Sequence, residues 1–165
     1  MVEPRHLQLE VVRPTLLLLE MWSPVAEALV MGTAAQESNF KYLRQLGTGP
    51  ALGLFQMEPT THDDIWKNYL QFKPEIKAKL AEFVPVKSSL EVPPSRNLTG
   101  NLFYAAAMCR LHYFRNRERL PDEVKVWDLG GYWKRVYNTP LGKGTVEEFE
   151  ENWKRYRLSE LEFNH

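Results

Sequence analysis

The sequence predicts a single, mainly α-helical domain with a small irregular hairpin or loop in its first half. The 165 residues suit one domain that can bury a sizeable core. Hydrophobic residues make up 44% of the chain and charged residues 25%, which is ordinary globular usage. Apolar residues recur at helical spacing, and prolines and capping residues separate these runs. One glycine-rich stretch within residues 42–57 interrupts the helical pattern.

The first 22 residues are predicted to form an N-terminal arm and a first helix that belong to the same domain as residues 23–165. Valines and leucines are spaced among charges up to Arg13, which indicates a peripheral arm or a short helix. Pro14 can open the first helix, which would run through Leu19 to about Met21.

The second helix carries an acid on its apolar stripe. Ser23 is the expected N-cap and Pro24 the first helical residue. Three residues share the stripe of Glu37 at helical spacing: Ala26, Val30 and Thr33. Glu37 should therefore face inward or into a cleft, where apolar surroundings and the negative end of the helix dipole raise the pKa of its carboxyl. The alternative is a helix-end glutamate paired with a nearby lysine.

Five further helices are predicted over about residues 61–72, 74–83, 99–117, 124–137 and 145–156. Gly130-Gly131 predicts a kink in the fourth of them, and Thr145 with Glu148 forms a capping box for the last. Residues 85–97 are rich in proline and predict a loop. Trp127 and Trp133 are assigned to the core rather than to a sugar-binding platform.

Composition excludes several functions. Basic and acidic residues balance at 21 each, so no net charge attracts nucleic acid or an anionic membrane. Cys109 is the single cysteine, and a buried inert thiol is expected.

The Leu16–Leu19 run is too short to insert into a membrane, and no secretory signal peptide is recognised. His62 begins a His-Asp-Asp run without further ligands, which indicates a solvated helix start; neither a metal nor a cofactor is expected.

Two separated motifs point to a family. Glu37-Ser38 ends the second helix, and a segment of the form Ala-x-Gly-Leu-x-Gln-x-x-Pro-x-Thr follows. Its six positions are filled in order by Ala51, Gly53, Leu54, Gln56, Pro59 and Thr61. Tyr137-Asn138 supplies a later Tyr-Asn pair, although Thr139-Pro140 follows where Ala-Gly is usual. The chain resembles the lytic transglycosylase branch of the lysozyme-like superfamily.

This resemblance implies a lysozyme-like fold (α+β with a minor hairpin) and places the catalytic domain at residues 23–165. Glu37 would donate a proton to the β-1,4 bond between N-acetylmuramic acid and N-acetylglucosamine, and then act as a base. The substrate's own 6-hydroxyl would attack, giving 1,6-anhydro products.

The resemblance also implies roles around Glu37. Ser38 and Gln56 would hold acetamido and hydroxyl groups of the sugar, and Gly53 would let the backbone approach it closely. Tyr137 would lie near Glu37 and orient it, and Asn138 would line the same cleft. Each has a structural alternative: Ser38 as a helix-end polar residue, Gln56 as a turn amide and Tyr137 as a core residue.

Alternatives remain for the reaction and for the function. A hydrolase needs a second carboxyl, and the candidates are Glu58, Asp63 and Asp64. The two aspartates suit the first turn of a helix, so the mechanism with one glutamate is preferred. The other interpretations are a hydrolytic lysozyme or chitinase-like glycosidase, and a non-enzymatic virion or secretion-system protein with this fold.

The expected partners are peptidoglycan glycan strands, with no nucleic acid, and the expected state is a monomer. The class of enzyme suggests a bacteriophage origin. The protein would be made in the host cytoplasm without a signal peptide. It would then reach the periplasmic cell wall through a holin, as an endolysin, or be carried in a virion.

Overall fold

The computed structural model of the protein describes residues 1–84 and 92–164, and it is mainly helical. The α-helices are α1 (Pro4–Leu7), α2 (Arg13–Leu18), α3 (Pro24–Ser38), α4 (Pro59–Asn68), α5 (Pro74–Leu80), α6 (Asn97–Gly100), α7 (Leu102–Phe114), α8 (Val126–Trp133) and α9 (Val146–Arg155). Two π turns, Gln8–Val12 and Lys134–Asn138, extend helical segments, and 3-10 turns cover Leu70–Phe72 and Leu158–Glu160. No described helix is long and apolar enough to cross a membrane.

The predicted hairpin is not a sheet. Between α3 and α4 the chain makes isolated antiparallel bridges from Leu52 to Arg44 and to Met57. Within the two described ranges these bridges do not extend into a β-sheet. The segment is therefore an irregular loop whose turns are fixed by a few backbone hydrogen bonds.

Helix α3 lies at the centre of the domain. Ser23 caps it as predicted, with the Ser23 hydroxyl accepting a hydrogen bond of 3.1 Å from the Ala26 N–H. Small and branched apolar residues on all sides of the helix are buried, including Ala28, Val30 and Ala34. The helix contacts α7, α8 and α9. It ends at Asn39, whose left-handed backbone (φ 54°) stops helical winding.

Residues 1–13 are part of the core rather than a peripheral arm. α1, the π turn Gln8–Val12 and α2 follow one another without a break. Leu7, Val12 and Leu16 on this segment are fully buried. Pro14 lies in the first turn of α2, as predicted, but helical winding does not start there: it continues from the π turn just before Pro14, where a missing N–H and the proline ring disfavour regular winding.

The remaining helices follow the prediction with shifted ends. The long helix begins at Leu102 rather than Thr99, because Asn101 is extended and its side chain caps the Tyr104 N–H at 3.0 Å. The capping box of Thr145 and Glu148 is confirmed. The loop predicted over 85–97 ends where α6 begins, at Asn97, and its residues 85–91 lie outside the described residues.

Helix α8 is continuous through its glycine pair, and the kink expected there stays a prediction. Gly130 allows α9 to approach: a Cβ there would lie 3.2 Å from Phe149 Cδ1. The core assignment holds for Trp133, which is 1% exposed, but not for Trp127, which is 54% exposed. The two indoles belong to one helix and face different surroundings.

A buried carboxylate network joins the two ends of the chain to α3. Glu27 is fully buried and accepts hydrogen bonds from Gln8, from Trp22 and, at 2.8 and 2.9 Å, from the Arg13 guanidinium. Gln8 and Arg13 also donate to the carbonyl oxygen of Glu162, at 2.8 and 2.6 Å. All three donors to Glu27 come from the first 22 residues, and two of them also bind Glu162, so the network fixes the N-terminal helix and the C-terminal tail against α3.

Replacing Glu27 should strongly destabilise the fold. Glu27→Ala leaves the Arg13 guanidinium without its buried counter-ion, and losses of about 3–5 kcal/mol are typical for breaking such a pair. Urea denaturation at pH 7 measures the free energy of unfolding. The control is Glu150→Ala, which breaks an i,i+4 pair with Lys154 at the surface and should cost about 0.5 kcal/mol or less. Equal losses in the two variants would contradict a structural role for Glu27.

Candidate active site

A cleft of about 430 Å³ opens at the C-terminal end of α3. It brings together four of the predicted site residues: Glu37, Gln56, Tyr137 and Asn138. These residues come from α3, from the loop before α4 and from the π turn after α8, so the fold joins the two sequence motifs in one place. Ser38 and Gly53 lie beside the cleft rather than in its lining.

Glu37 reaches the cleft from the last turn of α3, where it is mostly enclosed by protein. The Trp133 indole N–H donates a hydrogen bond of 2.8 Å to Glu37 Oε1. Burial raises the pKa of the Glu37 carboxyl from its ordinary value of 4.5 to about 7, and the bond from Trp133 acts in the opposite direction. The carboxyl is therefore protonated in a substantial fraction of molecules near neutral pH.

The surroundings of Glu37 offer no compensating cation within the described ranges, which disfavours the interpretation of a lysine-paired surface glutamate. One helical turn earlier, Thr33 is fully buried; its hydroxyl donates to the Leu29 carbonyl and lies 2.7 Å from the Tyr113 hydroxyl. Cys109 is also buried nearby, and burial raises the pKa of its thiol. This neutral environment accounts for the raised pKa of Glu37.

Gln56 is fixed across the turn that precedes α4. Its amide nitrogen donates to the carbonyl oxygens of Gly53 at 2.7 Å and Tyr42 at 3.3 Å. The residue itself has a left-handed backbone, with φ of 46°. These constraints hold the side chain at the cleft wall, so Gln56 is both a turn amide and a cleft residue.

Gly53 is required by a neighbouring helix. Its φ is 76°, and a Cβ there would lie 2.1 Å from the carbonyl oxygen of Leu98 in α6. The close approach implied by the family pattern therefore exists, but the observed partner is Leu98 and not the cleft.

Ser38 is a polar residue of the helix end and does not belong to the lining of the cleft. It is fully buried, and its hydroxyl donates to the Ala34 carbonyl one turn earlier at 3.1 Å. Such bonding back to the helix is usual for a serine in a helix. The position next to Glu37 in sequence does not bring Ser38 into the cleft.

Tyr137 connects the two motifs by a direct bond. Its hydroxyl donates to the Phe55 carbonyl at 2.7 Å, and its ring packs against Tyr113 and the edge of His112, with centroids 5.2 and 5.0 Å away. The hydrogen bond that orients the Glu37 carboxyl comes from Trp133, one turn earlier, and not from Tyr137 as the resemblance implied.

Asn138 is held at the cleft by a lysine. Lys134 donates 2.7 Å hydrogen bonds to Asn138 Oδ1 and to the Gly142 carbonyl. Because Oδ1 of Asn138 accepts the first bond, the NH₂ group of the amide faces away from Lys134. The second fixes the following loop, which reverses at Thr139 (φ 69°) and supplies the outer edge of the cleft.

Sequence reasoning gave no functional role to two residues of this site, Trp133 and His112. The sequence assigns Trp133 to the core; its spacing of four from Tyr137 places both on one helical side, and this spacing is the signal that indicates a role for Trp133 at the site. His112 lines the cleft beside Tyr137, and burial together with Arg115 lowers its pKa to about 4. The imidazole is therefore neutral at neutral pH.

The three acids that could act as the second carboxyl of a hydrolase differ in position: one lines the cleft, and two are bonded to other side chains. Glu58 lines the cleft. Asp63 instead bonds to His62, and Asp64 forms an ion pair with Arg115. Of the three candidates, Glu58 is the one that the fold brings to Glu37.

His62 is buried rather than solvated, contrary to expectation. Its Nδ1 lies 2.8 Å from Asp63 Oδ1 and its Nε2 lies 2.7 Å from the Tyr104 hydroxyl, which also accepts a bond from Trp66. Both ring nitrogens are thus engaged by protein groups. In the part of the chain that the structure describes, no cluster of three or more potential metal ligands is found.

The raised pKa of Glu37 makes a prediction about stability. Between pH 4.5 and about 7 the folded protein binds a proton at Glu37 that the unfolded chain releases, so this group stabilises the fold fully below pH 4.5 and progressively less as the pH rises through 7. Glu37→Gln removes the free-energy cost of holding a charged carboxylate in this enclosed position. The variant should gain stability over wild type with rising pH, reaching up to about 3 kcal/mol at pH 8.

Urea denaturation of both proteins at pH 4.5, 6 and 8 measures this difference. All other titratable groups are shared, so the pH dependence of the difference isolates Glu37. A difference that does not change with pH would contradict a raised pKa.

Comparisons with protein-family models, with curated proteins and with solved structures found no match to this chain. The functional assignment therefore depends on the residues of the cleft and on the chemistry that their geometry allows.

Proposed function

We propose that the protein cleaves peptidoglycan glycan strands at the bond between N-acetylmuramic acid and N-acetylglucosamine, as a lytic transglycosylase with a lysozyme-like fold. The observation that carries this proposal is the Glu37 carboxyl, which lies in an open cleft with a pKa of about 7. Cleavage of a glycosidic bond needs a carboxylic acid that stays protonated near neutral pH. Glu37 meets that requirement.

Trp133 determines how the acid is presented. Glu37 Oε1 accepts the indole N–H, so the proton of the neutral acid resides on Oε2. Because Trp133 is 1% exposed and packed in the core, this bond holds the carboxyl in one orientation. A general acid needs such positioning as well as a suitable pKa.

The reaction proceeds in two proton transfers. Glu37 Oε2 donates its proton to the glycosidic oxygen as the bond from that oxygen to C1 of N-acetylmuramic acid breaks, and the sugar becomes oxocarbenium-like. The 6-hydroxyl of the same sugar then forms a bond to C1, and its proton passes to the Glu37 carboxylate. The product is a 1,6-anhydro sugar, and the acid is regenerated without water.

The other cleft residues suit binding of an uncharged amide-bearing sugar. Gln56 and Asn138 present amides whose positions are fixed by hydrogen bonds to the protein. Thr61 adds a hydroxyl, and His112 adds a neutral imidazole. These groups would hold acetamido and hydroxyl groups of the substrate and orient the scissile bond toward Glu37.

Hydrolysis is the second candidate reaction, and Glu58 favours it. Glu58 lines the same cleft as Glu37, and a hydrolytic lysozyme or chitinase-like enzyme uses a pair of carboxyls. In that case Glu58 would act on water or on the sugar while Glu37 donates the proton. The two reactions differ in their products and in their dependence on Glu58.

The first activity prediction concerns the two glutamates. Glu37→Gln should lower cleavage of purified peptidoglycan by about 100- to 10,000-fold, because a general acid contributes that much to the rate. Glu58→Gln, the matched control in the same cleft, should stay within about threefold of wild type. Mass spectrometry of the released muropeptides should find 1,6-anhydro ends.

Three other outcomes would change the assignment. Reducing ends together with a large loss in Glu58→Gln would establish hydrolysis. Cleavage of chitin but not of peptidoglycan would establish a chitinase-like enzyme. Equal activity of wild type and Glu37→Gln, or no activity in either, would contradict the proposal and favour the non-enzymatic virion or secretion-system protein.

The second activity prediction concerns Trp133. Trp133→Phe removes a hydrogen bond that favours the charged carboxylate, so the pKa of Glu37 should rise further, by about 1–2 units. The falling limb of the rate against pH should shift to higher pH by the same amount. The lost orientation should also lower the maximal rate.

Trp153→Phe is the control, because Trp153 belongs to the same aromatic cluster through Phe149 (centroids 6.4 Å apart). It should leave the pH profile in place. A shift to lower pH in Trp133→Phe, or the same shift in both variants, would contradict the role given to the Trp133 indole.

A further inference from the structure

A second cavity, of about 520 Å³, lies against α8 and is separate from the cleft. Trp127 lies at its edge with 54% of its surface exposed, which is unusual for so large an apolar side chain. None of the residues that line this cavity also lines the catalytic cleft. The activity proposed above makes no use of it.

A glycine forms part of the cavity wall between an aromatic and a basic side chain. Trp127, Gly131 and Arg135 follow one another at intervals of four, so they share one side of the helical segment. A Cβ at Gly131 would lie 3.1 Å from Arg135 Nη1, so even a methyl group would press on the guanidinium. Gly131 therefore leaves a gap between an indole and a guanidinium.

The opposite wall is held by hydrogen bonds. Arg135 donates to the Glu118 carboxylate through Nε at 3.0 Å and through Nη2. The Tyr132 hydroxyl donates to the Glu118 carbonyl at 2.9 Å. The segment that contains Glu118 is thus fixed relative to α8, and the cavity keeps its shape without a ligand.

The charges around the cavity are mixed and partly paired. Its rim carries four acids and three bases: Glu118, Asp122, Glu123 and Asp128, and Arg119, Lys125 and Arg135. Two of the bases already pair with acids of the rim, Arg135 with Glu118 and Lys125 with Glu123. Neither sign dominates, which disfavours a strongly charged ligand and favours an uncharged one that offers both donors and acceptors.

We propose that this cavity is a second saccharide site, which takes an uncharged sugar unit such as an N-acetylglucosamine residue of a glycan. One face of a pyranose ring carries C–H groups and would cover the Trp127 indole, while the ring hydroxyls would bond to the carboxylates and guanidinium groups of the rim. The choice of a glycan as ligand rests on the proposed function.

Such a site would hold the protein on an insoluble polymer while the cleft acts on a neighbouring stretch or strand. Trp127 lies in the first turn of α8 and Trp133 ends the helix, so one short helix fixes the spacing of the two sites. Linking two weak sites raises the retention of a protein on a repeating ligand without any new contact. The gain would appear on insoluble peptidoglycan and not on short soluble fragments.

The test follows the indole N–H signals of Trp127 and Trp133 by NMR while chitotetraose, a neutral oligomer of N-acetylglucosamine, is added to Glu37→Gln protein. Trp127→Phe assigns the first signal. We expect the Trp127 signal to titrate with its own affinity, and Gly131→Leu, which fills the gap, to weaken that affinity about tenfold or more. A Trp127 signal that does not respond to the oligomer would overturn the proposal.

Retention provides the second measurement. Trp127→Ala should bind insoluble peptidoglycan about tenfold more weakly than its parent, whereas Phe72→Ala, which removes an aromatic ring that is 70% exposed outside both cavities, should bind as its parent does. Equal retention of Trp127→Ala and Phe72→Ala would overturn the role of this cavity. Failure of the proposed function looks different: Glu37-dependent cleavage would be absent while the Trp127 signal still responds to saccharide.

Discussion

The hydrogen bond from the Trp133 indole to the Glu37 carboxyl is the contact on which the candidate site depends. It joins two helices whose residues are 96 positions apart, so it can form only if α8 lies close against α3. Glycines allow neighbouring parts of the chain to pack closely around these two helices. A Cβ at Gly32 of α3 would lie 2.4 Å from Phe149, and one at Gly144 would lie 2.6 Å from the Trp133 ring. The packing of the core therefore sets the orientation of the acid.

Helix α3 carries two glutamates in contrasting surroundings: Glu27 is fully buried, and Glu37 is largely enclosed at the wall of the cleft. Glu27 accepts hydrogen bonds from Arg13, Gln8 and Trp22, so its charge is matched by a cation and by donors. Glu37 receives one indole N–H and lies above neutral groups, so burial raises its pKa. The Glu27 carboxylate therefore holds parts of the fold together, and Glu37 is the residue to which the proposed chemistry is assigned.

The sequence predicted the features that local physics determines. The cap at Ser23 and the inward direction of Glu37 follow from capping and helical spacing within α3, and the rest of the chain then encloses this side of the helix. The motif spacing also anticipated that Gln56 and Tyr137 line the same cleft as Glu37. The local features can be predicted from a few neighbouring residues, and the cleft residues can be predicted from the ordered motif.

The structure differs from the sequence-based expectations where a distant contact, or a local alternative that the motif does not distinguish, determines the position of a residue. Gly53 is constrained by the carbonyl of Leu98, which no local pattern reveals, and Ser38 bonds within its own helix. The continuation of the N-terminal helix through Pro14 depends on a π turn, which helical periodicity does not anticipate. Trp127 and Trp133 looked alike in sequence because an apolar helix of eight residues does not reveal which of its faces the rest of the chain covers.

The π turn after α8 allows one helical segment to serve both cavities. An additional residue in the turn rotates the positions that follow it relative to a regular α-helix. Arg135, early in this turn, still lies over Gly131 and faces the second cavity, whereas Tyr137 and Asn138, at its end, face the cleft. Lys134 secures the new direction by bonding to Asn138 and to the Gly142 carbonyl. A regular helix through Asn138 would change the direction of these last residues, so the π turn is part of the geometry of the cleft.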